Sequence, residues 1–324
     1  MIFTSSFKPA GTISGRLASS QLLGEFGGNG QNVPDDIRRL FIPRPGYAFV
    51  QNDLEGAEAV AVALLCGEGN FRELVRRKVK IHNFVCVKIF PDKFTEFFST
   101  AAINDLTPAS FHEHPQYKSL VKHCKSLKTE YDLAKRTVHG SNYSMGWRTF
   151  QKTVLQGTSG RVVLSAAECK RLLNAYFTLF PEVKVFQAAA DKAAQEFLEI
   201  NNLFGWSVKL VQRYTAAAGR TAISWGPQST VGVATVIAAQ RFQESIESNR
   251  RSWNILNVVH DSILAEGPTE DANDLANCLG DCMSFEFTSP IDGWKCRIGV
   301  EKSIGMCWGK YDEVENPQGM KVIP

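Results

Sequence analysis

The sequence predicts an α+β protein, on three observations. The run Tyr47–Asp53 (YAFVQND) reads as a strand that ends on an acid. Asn254–Glu266 reads as a pair of strands: the apolar run Ile255–Val259 ends on His260-Asp261, and Ser262–Glu266 follows. Between these two regions lie long helical stretches rather than regularly alternating strands and helices. With 324 residues, 44% of them hydrophobic, the chain can bury a real core and has the length of roughly two domains.

In chain order, residues 11–34 are rich in Gly, Ser and Asn and read as loop with short strands. Glu55 to Cys66 is Ala-rich and apolar, a helix closed by Gly67. Phe71 to Phe90 reads as helical and basic, and 91–115, with Pro91, Pro108 and Pro115, as irregular connections. Tyr117 to Val138 reads as a basic helical region, with Lys118, Lys122, Lys125, Lys128, Lys135 and Arg136 set against Glu130 and Asp132. Ala166–Phe180 and Glu182–Glu199 read as two helices broken at Pro181, and Ser229–Glu247 as a further one. A helix is expected over 269–287 and a last short strand over Arg297–Val300. The chain has no internal repeat.

Composition excludes several classes. The 36 Lys+Arg against 33 Asp+Glu leave a net charge of +3, too small to announce a nucleic-acid binder unless local clusters carry the case. No apolar run has the length of a membrane span, and Met1 to Ala10 is no signal peptide. The eight cysteines contain no C-x-x-C pair, and Cys278 and Cys282 lie on a helical stretch, which reads as reduced thiols of a cytosolic protein.

Two strands thus each deliver an aspartate, Asp53 and Asp261. Two carboxylates on adjacent strand ends can hold one or two divalent cations for phosphoryl transfer. Two ordinary turn aspartates give the same spacing. Spacing alone leaves both readings open.

Further residues carry a resemblance. Ser14–Ser20 (SGRLASS) resembles a T-G-R-L-S-S segment, Gln31–Pro34 matches Q-N-I-P, and Ile37–Phe41 matches the I-R-x-x-F that follows it. Asp53–Glu58 (DLEGAE) falls on D-Y-S-Q-I-E, Lys80-Ile81-His82 on D-I-H, and Lys135, His139, Gly140 and Tyr143 on K-x3-F-G-x2-Y. Tyr176–Pro181 is similar to Y-F-x-x-Y-P, Arg220 and Gln228 reproduce R-x7-Q, and Val259-His260-Asp261 is V-H-D. In this order, from about residue 11 to residue 308, the segments resemble the polymerase domain of family A DNA polymerases, the DNA polymerase I-like enzymes of bacteria and phages.

The resemblance implies a right-hand fold. An antiparallel-sheet palm would be built from residues 1–65 and 218–324, and mostly helical fingers, 66–217, would be inserted in it. It implies two-metal nucleotidyl transfer of dNTPs to a primer 3′-OH, with Asp53, Asp261 and the Leu54 carbonyl holding two Mg²⁺ ions, Mn²⁺ being the alternative. Lys135 would act on the triphosphate and pyrophosphate, and His82 on the β-phosphate. His139 and Tyr143 share the face of Lys135 at helical spacing. Glu58 would be the steric gate against a 2′-OH, with Leu54 and Gly56 beside the nucleotide. Arg16, Gln31, Asn32, Arg220, Gln228 and His260 would line the primer–template minor groove, where purine N3 and pyrimidine O2 are read without sequence preference.

The chain departs from the family pattern at several of these positions. Tyr131 stands where an arginine precedes the fingers lysine, with Lys128 as a substitute from the turn before. His139 replaces Phe or Tyr. Glu55-Gly56 replaces Ser-Gln and adds an acid, Ser262 replaces the last acid of H-D-E, and Ser224 replaces a minor-groove Asn. No stretch offers a thumb, and outside Asp53-Leu54-Glu55 none offers a D-x-E exonuclease site, so the expectation is a split polymerase whose thumb or exonuclease is on another polypeptide, the alternatives being a fragment of a longer chain or a protein that works distributively. Primer–template DNA and dNTPs are the expected partners, and the cytoplasm of a bacterial or phage-infected cell the expected place. The competing readings are a single-subunit RNA polymerase or primase-like nucleotidyltransferase, suggested by Lys135–Val138 and His260–Ser262, and a catalytically idle DNA-binding subunit.

Overall fold

The computed structural model describes residues 3–8, 11–22, 27–209 and 214–324. The expectations for residues 1–2, 9–10 and 23–26 lie outside them. The chain opens with a small antiparallel pair, β1 (Ser6–Lys8) and β2 (Ala18–Ser20), then a 3-10 turn at Gly30–Asn32 and a one-turn helix, α1 (Asp35–Arg38). Next comes β3 (Tyr47–Glu55), two residues longer than the expected strand. Gly56, at φ +59, turns the chain into α2 (Ala57–Cys66), which Gly67 closes at φ +78 as expected.

The basic stretch after Gly67 is two helices, α3 (Asn70–Arg76) and α4 (Ile81–Ile89), rather than one. Lys78 breaks them at φ +55, and Val79 and Ile81 turn inward to be buried. The proline-rich connection holds two short capped helices, α5 (Thr100–Asn104) and α6 (Pro108–His112). Pro108 occupies the first turn of α6, where its missing N–H costs nothing. Tyr117–Val138 is also divided, at Leu127, into α7 (Tyr117–Ser126) and α8 (Lys128–Asn142). α9 (Trp147–Gly157), α10 (Ala166–Leu179) and α11 (Pro181–Phe197) follow, with Pro181 starting α11.

A short hairpin, β4 (Glu199–Asn201) and β5 (Ser207–Lys209), leads to α12 (Ala216–Ser248). This helix begins thirteen residues before the expected start at Ser229 and runs through Pro227. Ala222, Ile223, Trp225, Gly226 and Pro227 are all buried, so packing outweighs the local break. β6 (Asn254–Val259) and β7 (Ser262–Pro268) form the expected hairpin. The helix expected over 269–287 is shorter, α13 (Ala272–Met283), because Phe285 and Phe287 are buried on the short strand β8 (Glu286–Thr288). β9 (Lys295–Arg297), β10 (Gly299–Gly305) and β11 (Lys321–Ile323) complete the chain.

The central sheet has the order β11-β10-β3-β7-β6 and is antiparallel throughout. Its two faces follow from the period of two in β3. Ala48, Val50, Asn52 and Leu54 are buried on the side where α12 and α13 pack, and the Asn52 amide donates 2.8 Å to the Ala276 carbonyl of α13. Phe49, Gln51 and Asp53 therefore take the other face. There Phe49 joins Val33, Val259, Leu264 and Trp308 in a small apolar cluster, and the Trp308 indole N–H donates 2.7 Å to Gln51. A second, larger core lies among the helices, with Phe71, Phe84, Phe94, Phe111, Phe150, Tyr176 and Phe180. α2 serves both cores: Val62, Ala63 and Cys66 belong to the helical one, and Ala57, Val60 and Leu64 to the sheet.

Candidate active site

Register brings the two aspartates together. Asp53 in β3 lies opposite Ser262 of β7, and Asp261 is the residue just before Ser262, in the two-residue turn of the β6–β7 hairpin. His260 takes the left-handed conformation such a turn requires, at φ +55. The Leu54 N–H donates 3.0 Å to the Asp261 carbonyl and ties the hairpin tip to β3. Both carboxylates are mostly withdrawn from water.

Burial raises the Asp53 carboxyl to about 7, with Asp261, Glu301 and Glu55 pushing the same way and Lys80 opposing. Burial also raises Asp261, offset by a backbone hydrogen bond, with Glu58 adding to the rise and His260 and Arg16 opposing it. Among the described residues neither carboxylate forms an ion pair. Two desolvated acids with no paired cation are what a bound divalent cation relieves, so the residues fit such an ion. No cluster of three or more His, Cys, Asp or Glu side chains is grouped for a metal among the described residues. Glu301, a strand neighbour of Asp53 in β10, is an acid that only the sheet register reveals. Glu55 ends β3 and is exposed.

Glu58, in the first turn of α2, is held from two sides. Arg16 reaches one carboxylate oxygen at 2.7 Å, and the Tyr143 hydroxyl donates to the other at 2.6 Å. His139 Nδ1 lies 3.9 Å away, and the His139 and Tyr143 rings meet edge to face at 5.4 Å. Burial first, then the Glu58 charge, raises the Tyr143 phenol, which keeps it a neutral donor. Tyr131, Lys135, His139 and Tyr143 follow one another at i+4 along α8 and its C-terminal cap, so one stripe carries all four. Lys135 is exposed. His82, in the first turn of α4, shares a 2.7 Å hydrogen bond between its Nε2 and the Tyr131 hydroxyl.

A cleft of about 300 Å³ is lined by Arg16, Gln31, Asn32 and His260, together with Thr12, Ser19, Asn29, Gly232 and Thr235. Four of the six residues expected along the minor groove thus share one cavity. The Gln31 amide donates 2.9 Å to the Val258 carbonyl, and Arg16 Nε is buried without a protein partner. The structure does not bring Arg220 or Gln228 into this cleft: both lie on α12, Arg220 exposed near its start. A larger cavity of about 650 Å³, between α11, α12 and β4, has an apolar lining that includes Phe186, Phe197 and Ala222, and holds none of the expected site residues.

A sheet bearing two acids, linked through Glu58 of α2 to a helix that carries a lysine and aromatic side chains, is the right-hand polymerase arrangement. The polymerase domain of Pol1 from M. smegmatis, solved in complex with DNA primer-template and dNTP, has this fold: TM-score 0.68, 19% identity, covering 94% of this chain and 47% of that one. The model of DNA polymerase family A matches residues 118–310, and the chain belongs to that family. It is 22% identical to DNA polymerase I of Chloroflexus aurantiacus over 314 residues, covering 94% of this chain and 28% of that protein. It is 26% identical to the chloroplastic DNA polymerase I A of Oryza sativa subsp. japonica over 278 residues, covering 84% and 26%. With DNA polymerase I of Aquifex aeolicus the identity is 21% over 304 residues, covering 94% and 46%. The chain spans between about a quarter and a half of the length of these relatives.

Proposed function

We propose that this chain adds deoxynucleotides to a primer 3′-OH under the direction of a template strand, its palm being 1–65 and 218–324 and its fingers 66–217. The observation that carries the reading is the pairing of Asp53 and Asp261 at the end of the β3/β7 strand pair, beneath a helix whose Lys135–His139–Tyr143 stripe reaches back to Glu58. Asp53, Asp261 and the Leu54 carbonyl are the ligands proposed for two Mg²⁺ ions, or Mn²⁺ in their place. Such ions, when bound, lower the pKa of the attacking hydroxyl and neutralise the leaving pyrophosphate. The bond formed joins the primer 3′-oxygen to the α-phosphorus, and the bond broken is that to the bridging oxygen of pyrophosphate.

The chain's own residues supply position and charge. Lys135, from α8, brings positive charge to the triphosphate and is the proposed proton donor to the departing pyrophosphate. Glu58, clamped by Arg16 and Tyr143, forms a wall under the sugar beside Leu54 and Gly56 that leaves no room for a 2′-OH. Arg16, Gln31, Asn32 and His260 take the minor groove of the terminal pair from the shared cleft. Arg220 and Gln228 act further along the duplex.

Primer extension tests this directly. Template-dependent incorporation of dNTPs by the wild type, lost in Asp53→Ala and in Asp261→Ala, is the expected result. Synthesis unchanged in Asp53→Ala overturns the two-carboxylate assignment. NTP use equal to dNTP use moves the reading to an RNA polymerase or primase-like enzyme, and DNA binding without synthesis moves it to an idle subunit. We also propose that thumb and exonuclease functions come from another polypeptide and that the protein works in the cytoplasm of a bacterial or phage-infected cell. Native mass analysis from its source tests the first point: a co-purifying second chain supports it, and a larger precursor overturns it. No helix among the described residues is long and apolar enough to cross a membrane.

A further inference from the structure

The last turn of α8 is tied down by side chains from two other helices. The Gln187 side-chain amide, on α11, donates 2.6 Å to the Ser141 carbonyl and 3.0 Å to the Asn142 carbonyl. The Tyr176 hydroxyl, on α10, donates to Asn142 Oδ1. All four residues are buried, and Tyr176 lies wholly inside the helical core, its ring 5.0 Å from that of Phe180. Chemistry fixes the roles. A backbone carbonyl only accepts, so Gln187 turns its NH₂ group to both. Burial raises the Tyr176 phenol well above its ordinary value, so the hydroxyl keeps its proton.

Carbonyls in the last turn of a helix have no partner within it. Gln187 supplies one for two of them from outside. A buried polar network of this kind adds little net stability, but it specifies one arrangement. What it specifies here is the direction of the next side chain. The Asn142 carbonyl and the Tyr143 N–H belong to one rigid peptide plane. Gln187 holds that plane at the carbonyl, and the Tyr143 N–H donates 3.3 Å to the Gly140 carbonyl at its other edge. A small rotation of the plane swings the phenol hydroxyl, at the far end of the ring, off its 2.6 Å bond to Glu58.

We propose that Tyr176 and Gln187 are positioning residues for sugar selection: they lock the Asn142–Tyr143 peptide so that the Tyr143 hydroxyl holds the Glu58 carboxylate under the sugar. The inference rests on the polymerase reading and extends it from the groups that meet the nucleotide to two that act through them. The path is short and made of direct contacts, Gln187 and Tyr176 to Asn142, its neighbour Tyr143 to Glu58.

Two measurements on the whole chain test this, one of them independent of catalysis. The first is a double-mutant cycle in thermal denaturation. Tyr143→Phe removes the bond to Glu58 and lowers the melting temperature of the wild type. Gln187→Met and Tyr176→Phe keep the bulk of each side chain and lose its donor. In either background Tyr143→Phe has less than half its effect in the wild type, because the bond is already loosened. Where one background fails to fold, the other carries the test. The second is single-nucleotide extension. Gln187→Met and Tyr176→Phe each lower the ratio of dNTP to NTP incorporation about threefold, within the worth of one hydrogen bond. Neither lowers it further once Tyr143→Phe is present. Gln195→Met, which removes another hydrogen-bonded glutamine of α11, 2.9 Å from Asp191, changes neither quantity.

An unchanged dNTP-to-NTP ratio in an active polymerase overturns the proposal, because the network then only supports the fold. Melting losses that add in full overturn it as well, and so does a loss of selectivity that multiplies with that of Tyr143→Phe. Coupling in the melting cycle of a chain that extends no primer supports the positioning of Tyr143 and removes the polymerase reading instead.

Discussion

The Tyr143 hydroxyl donates a 2.6 Å hydrogen bond to Glu58 and so joins the end of α8 to the first turn of α2. Arg16 holds the other oxygen of the same carboxylate at 2.7 Å. Glu58 therefore stands in a fixed rotamer, and a fixed carboxylate can exclude a hydroxyl by size.

Replacing Glu58 with Ala removes that wall. The ratio of dNTP to NTP incorporation should fall by at least about tenfold, in the range seen when one steric or polar contact sets specificity. Single-nucleotide extension with each substrate measures it, and an unchanged ratio would show that sugar selection lies elsewhere. Tyr143→Phe, which keeps the ring but frees the carboxylate, should lower the ratio by a smaller factor.

Asp53 is costly to the metal-free fold. Its carboxyl titrates near 7 in the folded chain against 3.8 for the ordinary group, so the folded state holds the proton more tightly. The stability this contributes is present below pH 3.8 and is lost as pH rises through about 7. Asp53→Asn should abolish synthesis and yet stabilise the protein in EDTA at pH 8, by on the order of 2 kcal/mol. Urea denaturation at pH 5 and pH 8 checks both sign and window. Adding Mg²⁺ should stabilise the wild type more than the variant.

His82 gives the opposite slope. Its folded pKa of about 4 lies below the ordinary 6.5, so the unfolded chain binds the proton first. The associated stability is complete above pH 6.5 and drains away as pH falls toward 4. His82→Gln should flatten this part of the acid limb. Comparing the two proteins at pH 7 and pH 5 isolates the term from that of Asp53, and parallel curves would mean the imidazole is not held neutral.

Arg72 anchors the helical core to the C-terminal segment. It is fully buried, pairs with Asp292, donates 3.0 Å to the Ala63 carbonyl and 3.2 Å to Ser289, and lies over the Trp294 ring at 4.8 Å. Arg72→Ala removes these contacts and empties a fully buried site, and should cost about 2–5 kcal/mol, as for a large-to-small substitution in a core. Denaturant titration measures it, and a loss under about 1 kcal/mol would place the anchor elsewhere.

Much of the site was legible in sequence because short spacing survives folding. Lys135, His139 and Tyr143 share a face through helical repetition alone, and His260-Asp261 between two apolar runs announces a hairpin tip. Breaks inside helices were less legible. Lys78, at φ +55, and Leu127 carry no turn signature, and Pro227 carries one that packing overrides.

The sequence by itself determined the α+β class, the hairpin that presents Asp261, the stripe on α8 and the family resemblance, since each rests on residues close together in the chain. Tertiary structure alone decided which distant groups meet. The order β10-β3-β7 sets Glu301 beside Asp53. The packing of α4 on α8 brings the His82 ring to the Tyr131 hydroxyl. Strand register and helix packing sum many weak contacts over the whole chain, and no local pattern encodes that sum.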